Sequence, residues 1–201
     1  MSRTVTCPAV ATMASVYTSL TGCPFEIGQI QKLVFWRHNQ TLTAVASATS
    51  ATVWTAHLAA TGDKKLLVSP PATCIIPPSE PREAGSGNEV INGIPRNIGS
   101  NPVKVEGKMW NLGQDTIAAL KAIKDEYLDV LLVNESGQLI YNLSGSTVKG
   151  FPIHSLWFSD LAGGSFADGT FNNYSFFLEP NWSNNARITA ATSFLLEAVN
   201  S

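Results

Sequence analysis

The chain has 201 residues, of which 14% are charged and 44% hydrophobic, and its formal net charge is −2. This balance excludes a strongly basic nucleic-acid binder, because such proteins cluster lysine and arginine against phosphates and the one adjacent basic pair here is Lys64–Lys65. A chain of this length buries roughly 70% of its unfolded surface, so its core needs no disulfide or metal. A single domain over residues 1–201 is the simplest organisation.

So small a charged fraction is uncommon on the surface of a free monomer. It indicates either that other subunits cover much of the exterior or that the surface is rich in uncharged Ser, Thr and Asn. The cysteines Cys7, Cys23 and Cys74 lack a metal-finger spacing and leave at least one thiol unpaired, so we expect free, mostly buried thiols. We expect no secretion signal, and no apolar run approaches the roughly 20 residues of a membrane span.

The first third of the chain predicts an arm followed by short elements. Residues 1–27 alternate small polar and apolar residues around two Cys-Pro steps, which favours an extended N-terminal arm. The segment IGQIQKLVFWR predicts a strand, and residues 47–60 predict a short helix capped by Thr49 or Ser50. Two short strands follow in DKKLLVSPP and TCIIPP.

Residues 79–107 hold most of the Gly, Pro and Asn of the middle chain. They form either a disordered connector or an extended hairpin or loop with strands in NEVINGIP and NPVKVEG. The apolar residues favour the second interpretation, because a free linker would not carry them. They are Val90, Ile91, Ile94, Val103 and Val105. We expect such an excursion to dock on another chain.

Residues 110–143 give the clearest local pattern. A stripe of Leu112, Ile117, Leu120 and Ile123 predicts a helix at about residues 113–126 that flanks the sheet. LDVLLVN and QLIYNL then predict a hairpin around residues 135–137. Later, GFPIHSLWFSD, TFNNYSFFLEP and ARITAAT predict three further strands, which makes the chain mainly β, with a β-sandwich or barrel-type subunit.

Residue spacing gives no support to catalysis. No nucleophile elbow, zinc-protease pair, phosphate loop or dinucleotide fingerprint occurs, and His57 has no partner at a supportive spacing. We interpret Asp115, Asp129 and Asp160 as caps or turn residues. The prediction is therefore no catalytic residue, no cofactor and no metal.

The order of these elements resembles the tail tube proteins of long-tailed bacteriophages and the related tube proteins of contractile injection machines. The resemblance lies in the order of these segments and covers most of the chain: QIQKLVFWR, VWTAHLAATGDKKLLVSP, NGIPRNIGSNPVKVEGKMW, the helix at 117–127, LLVNESGQLIYN and HSLWFSDLAGG.

The resemblance implies a virion protein, assembled in the host cytoplasm, whose copies close into hexameric rings that stack into a conduit. DNA would pass through the lumen without specific binding, and other tail or connector proteins would be partners. The long excursion would bridge subunits or rings through these candidate assembly residues: Glu80, Arg82, Glu83, Asn88, Val90, Ile91, Ile94 and Arg96.

Two alternatives stay open. The first is a head-decorating or head–tail connector protein. The second is a carbohydrate- or receptor-binding β-sandwich module that uses tryptophans, with Trp182 in the polar stretch PNWSNN expected to be the exposed one.

Overall fold

The computed structural model describes residues 27–42, 44–61, 67–69, 72–85, 94–163 and 169–189. The fold within these ranges is mainly β, as the sequence predicts. The predicted N-terminal arm lies almost entirely outside the described residues. The strands are β1 Ile30–Arg37, β2 Thr41–Leu42, β3 Leu67–Val68, β4 Ala72–Ile75, β5 Pro81–Ala84, β6 Arg96–Ser100, β7 Val103–Trp110, β8 Leu128–Asn134, β9 Leu139–Ser144, β10 Thr147–Lys149, β11 Phe151–Phe158, β12 Ala162–Gly163, β13 Thr170–Leu178 and β14 Ala186–Ile188, and the helices are α1 Ala51–Leu58 and α2 Gln114–Ala122.

Six of these strands close into an antiparallel barrel. Their order is β8, β11, β13, β7, β4 and β1, and pairing of β1 with β8 completes the ring. Alternate residues of each strand point inward, as the two-residue period of a strand requires. Closure removes the exposed strand edges that an open sheet would leave.

A second lobe covers one side of the barrel at β1 and β8. It contains β2, β10, β9, β14 and α1, and it encloses its own apolar cluster with Trp54 at the centre. Val34 and Trp36 of β1 face this lobe, whereas Leu33 and Phe35 face the barrel interior. Because β1 and β8 are covered on both faces, their sequences are nearly continuous apolar runs.

The predicted hairpin of β8 and β9 exists, and it joins the barrel to the second lobe within one continuous sheet. Residues 135–137 form its turn, in which the Asn134 side chain accepts hydrogen bonds from the backbone of Ser136 and Gln138 at 3.1 and 2.9 Å. The first half of β8 pairs with β11 and only its second half pairs with β9. The strand therefore belongs to the barrel, while its hairpin partner belongs to the second lobe.

The flanking helix is shorter than the sequence predicts. It ends at Ala122, four residues before the expected position. The chain then turns towards β1, where Glu126 forms an ion pair with Arg37 over 3.0 Å. Leu120 is buried in the barrel core and Ile123 packs against it, so the predicted apolar stripe does face the core.

The predicted helix at residues 47–60 consists of a 3-10 turn, Val45–Thr49, followed by α1. Ser50 occupies the N-cap position, but its side chain makes no capping hydrogen bond. The Trp54 indole nitrogen donates to the Ala48 carbonyl at 2.9 Å, so tertiary packing stabilises this short helix.

The barrel wall is unusually close-packed at Gly107. A Cβ atom at this position would lie 1.8 Å from the Thr73 carbonyl oxygen and 2.5 Å from the Tyr174 hydroxyl. Because Gly107 has no side chain, the Tyr174 hydroxyl can lie close to the backbone here and donate a hydrogen bond to the Thr73 carbonyl at 2.7 Å. Burial raises the pKa of the neighbouring Cys74 thiol to about 11, although a hydrogen bond with Tyr174 lowers it. As predicted, Cys74 is a free thiol.

Candidate assembly surface

Strands β5 and β6 form a separate two-stranded sheet that continues from the β4–β7 pair and leaves the barrel. Pro81 pairs with Ser100 and Ala84 with Arg96, and at the base the Asn101 amide donates to the Glu80 carbonyl at 2.9 Å. We call residues 80–85 and 94–101 the arm. Every residue of the arm is exposed except those at its ends, residues 85, 100 and 101.

The arm is shorter than the excursion predicted over residues 79–107. The sequence assigns Val103 and Val105 to the excursion, but both are buried in the barrel core. Their alternation with exposed Lys104 and Glu106 marks β7 as a barrel strand with one solvated face. The assembly excursion predicted over 79–107 is thus wrong at its C-terminal end.

The candidate assembly residues divide into two groups. Glu80, Arg82, Glu83, Ile94 and Arg96 lie on the arm and are exposed. Within the described part of the chain, none of the four charged members forms an ion pair with another residue. The remaining three lie outside the described residues: Asn88, Val90 and Ile91.

The arm cannot be stabilised by its own contacts alone. Isolated two-stranded hairpins are marginally stable in water. Here Ile94 and Ile98 are 69% and 52% exposed, and β5 and β6 pair with no further strand among the described residues. Exposed isoleucines on a sheet with open edges are typical of a surface that pairs with another chain.

A second apolar surface lies on the side of the barrel that the second lobe leaves open. Ile75, Glu106, Ser175 and Trp157 form one row across β4, β7, β13 and β11. Ile75 and Trp157 are both exposed, and the smaller Ser175 lies between them on the floor. We call this depression the outer groove. Its cavity is about 580 Å³.

Charged side chains line the outer groove without filling it. Lys104 and Glu106 form an ion pair over 2.6 Å. The Lys108 ammonium lies 4.5 Å from the centre of the Phe171 ring, a cation–π contact. The groove therefore offers apolar walls together with charges of both signs.

A bulge in β11 places Trp157 in solvent. Ser155 has a positive φ of 54°, and the pairing with β13 shifts between His154 and Trp157. The extra residue moves Leu156 and Phe158 to the inside and Trp157 to the outside. Strict alternation from Ile153 would have placed Trp157 in the core.

Trp182 is not the exposed tryptophan that the carbohydrate-binding alternative requires. It is half-buried against the barrel core, and its ring meets Phe151 edge to face at 5.2 Å between centroids. The prediction that Trp182 is exposed, made from its polar neighbours in PNWSNN, is therefore wrong. Trp157 is the exposed tryptophan in the part of the chain that the structure describes.

A histidine–aspartate pair joins β8 to the residue that follows β1. Asp129 is 2% exposed in β8, and its carboxylate is 2.8 Å from Nδ1 of His38. Burial raises the Asp129 pKa, and His38 opposes that shift. The interpretation of Asp129 as a cap or turn residue is thus wrong, because a partner 91 positions away cannot be seen in local spacing. By contrast, Asp115 lies in the first turn of α2, and Asp160 pairs with Lys121 just after β11.

This pair borders an open cleft of about 540 Å³ lined by Arg37, His38, Asn39, Gln40, Glu126 and Tyr127. No serine, threonine or cysteine is among the described residues that line the cleft, and Tyr127 supplies the one hydroxyl in that lining. In the described ranges no three His, Cys, Asp or Glu residues are placed to hold a metal ion. No helix in those ranges is long and apolar enough to cross a membrane.

No protein-family model and no curated protein matches this sequence. Two solved structures show a low similarity. A chain from the tail of an empty gene transfer agent particle, refined with C6 symmetry, is 15% identical, with 59% of this chain and 80% of that chain covered and a TM-score of 0.33. A chain from the virion of a native gene transfer agent particle is 14% identical, with 59% and 82% covered and a TM-score of 0.32. At this level, the similarity does not identify the function of this chain.

Proposed function

We propose that this protein is a structural subunit that assembles with copies of itself, and that the assembly is the tail tube of a virion. The observation that carries the proposal is the arm. It leaves a closed barrel, exposes Ile94 and Ile98, and has no partner strand beyond its own hairpin among the described residues.

The rest of the molecule fits a subunit of this kind. The barrel is complete without a neighbour, so one copy can fold before it assembles. The arm adds contact area at little cost in chain length, and a head-to-tail contact between identical copies generates closed rings or open stacks. The resemblance in element order to tail tube proteins supports stacked, hexameric rings as the form of the assembly.

The proposal includes no catalysis and no specific DNA binding. His38 and Asp129 form the one candidate dyad of the described cleft, and no serine, threonine or cysteine lines that cleft among the described residues. The formal net charge of −2 suits a conduit along which DNA passes without being held.

Electron microscopy of the purified full-length chain at rising concentration tests the proposal. Rings of one diameter and tubes built from them are the expected result. A protein that stays monomeric at all concentrations contradicts self-assembly. A monomer that instead binds isolated phage heads supports the head-decorating or connector alternative.

A further inference from the structure

We propose that the outer groove receives the arm of a neighbouring copy of this chain, with Ile98 of one copy seated between Trp157 and Ile75 of the next. The inference rests on the proposed function, because it presumes that the copies assemble. It adds which two surfaces of the subunit meet.

The exposed apolar side chains of the described residues support this pairing. Two of them belong to the arm and two to the outer groove, and the remaining two, Tyr127 and Leu161, lie singly elsewhere. Scattered exposed apolar residues are ordinary, but paired ones on two separate surfaces indicate two halves of a contact.

The outer groove has the shape of a receiving site. Its row spans four strands, so at about 4.8 Å per strand Ile75 and Trp157 stand roughly 14 Å apart across it. Ser175 and Glu106 between them are shorter or more polar than the two walls. The bulge at Ser155 holds Trp157 outward as one wall, which is the arrangement of an aromatic anchor in an interface.

The arm does not occupy the groove of its own chain. It follows directly from β4 and precedes β7, the two strands that carry the Ile75 side of the groove. No arm residue is among the described residues that line the groove, and Ile98 and Trp157 keep 52% and 53% of their surface exposed within one subunit. The occupant is therefore the arm of another copy.

Charge complementarity agrees with this assignment. Glu83 of the arm carries the sign opposite to Lys104 and Lys108 at the groove, and Arg82 carries the sign opposite to Glu106. These five side chains of the arm and the groove can thus form ion pairs between the two copies on docking, which fixes orientation more than it adds affinity.

Crosslinking between two differently tagged populations tests the contact. One population carries Ile98→Cys and the other Ser175→Cys, both in a Cys7→Ser/Cys23→Ser background that leaves the partly buried Cys74 unchanged. Ser175→Cys is nearly isosteric and keeps both groove walls. We expect a short bismaleimide to yield a product that contains one copy of each tag, and we expect Trp157→Ala in the second population to remove that product.

Ile98→Cys mixed with Tyr127→Cys is the matched control, since Tyr127 is exposed on the opposite side of the barrel. Equal crosslinking of both mixtures overturns the inference. Rings or tubes that form without the mixed product also overturn it, and leave the proposed function standing. Failure of the background variant to assemble contradicts both. A Trp157-dependent signal on a glycan array, with assembly unaffected by Trp157→Ala, would make the groove a sugar site and overturn the arm contact.

Discussion

The barrel and the arm are built from the same antiparallel pairing, yet they differ in what their side chains contact. In the barrel, Val105 and Phe176 pair across β7 and β13 and are fully buried. In the arm, Ile98 lies at the register shift of the β5–β6 pair and stays half exposed. Backbone pairing therefore does not make the arm part of the core; only packing against a second layer would.

The difference teaches that folding and assembly are assigned to separate parts of the chain. Substitutions in the barrel should act on the free energy of unfolding, whereas substitutions in the arm should act on association.

A large effect is expected for Gly107→Ala. Its Cβ would overlap the backbone oxygen of Thr73, and a β-sheet backbone cannot move away without breaking the β4–β7 pairing. We expect a loss of about 3 kcal/mol or more in the free energy of unfolding, measured by denaturant titration. Gly163→Ala is the control, because no atom lies within 4 Å of its added Cβ. Equal stability of the two variants would refute the close packing at Gly107.

A paired truncation compares the two regions directly. Phe176→Ala removes a fully buried ring and should cost about 4 kcal/mol of unfolding free energy, whereas Ile98→Ala in the monomer should cost less than about 0.5 kcal/mol. Thermal unfolding at low protein concentration provides the measurement. A large loss from Ile98→Ala under those conditions would place the arm in the folding unit.

Asp129 should give the barrel a small pH dependence. Its folded pKa is raised by burial, so the native state holds this proton more tightly than the unfolded chain does. Stability from this group is full below the ordinary carboxyl pKa and is lost as pH rises through the raised value. Asp129→Asn should remove that decline from unfolding curves between acidic and neutral pH, whereas Asp125→Asn, in the exposed turn after α2, should retain it. A decline that persists in Asp129→Asn would show that another group causes it.

The alkylation rate of Cys74 should show that the barrel wall is closed around this thiol. The measurement should leave the stability of the barrel unchanged. Burial raises its pKa to about 11, so few thiolates exist at pH 8. In a Cys7→Ser/Cys23→Ser variant we expect slow alkylation of the folded protein and rapid alkylation in denaturant. Equal rates in the two conditions would mean that this part of the wall is open.

Much of the fold could be predicted from the sequence, because local patterns determine it. IQKLVFWR marks β1, and the alternation of Tyr174, Phe176 and Leu178 marks β13. The hairpin at residues 135–137 follows from turn residues between two apolar runs. The arm lies within the excursion predicted over residues 79–107. That prediction came from apolar residues that have no partner strand nearby in the sequence.

The failures all depend on contacts between distant residues. The bulge at Ser155 changes which residues of β11 face the core, and no residue in GFPIHSLWFSD indicates it. The early end of α2 accompanies the Arg37–Glu126 ion pair, which spans 89 positions. The outer groove could not be found from the sequence for the same reason, since its walls come from β4 and β11.

Sedimentation velocity of the full-length protein tests the central claim most directly. The wild type and a Leu161→Ser control, in which an exposed apolar residue outside the arm is replaced, should form large oligomers as concentration rises. Ile94→Ser/Ile98→Ser should remain a monomer with an unchanged unfolding curve. Oligomers of the same size in all three proteins would contradict the claim that the arm mediates assembly.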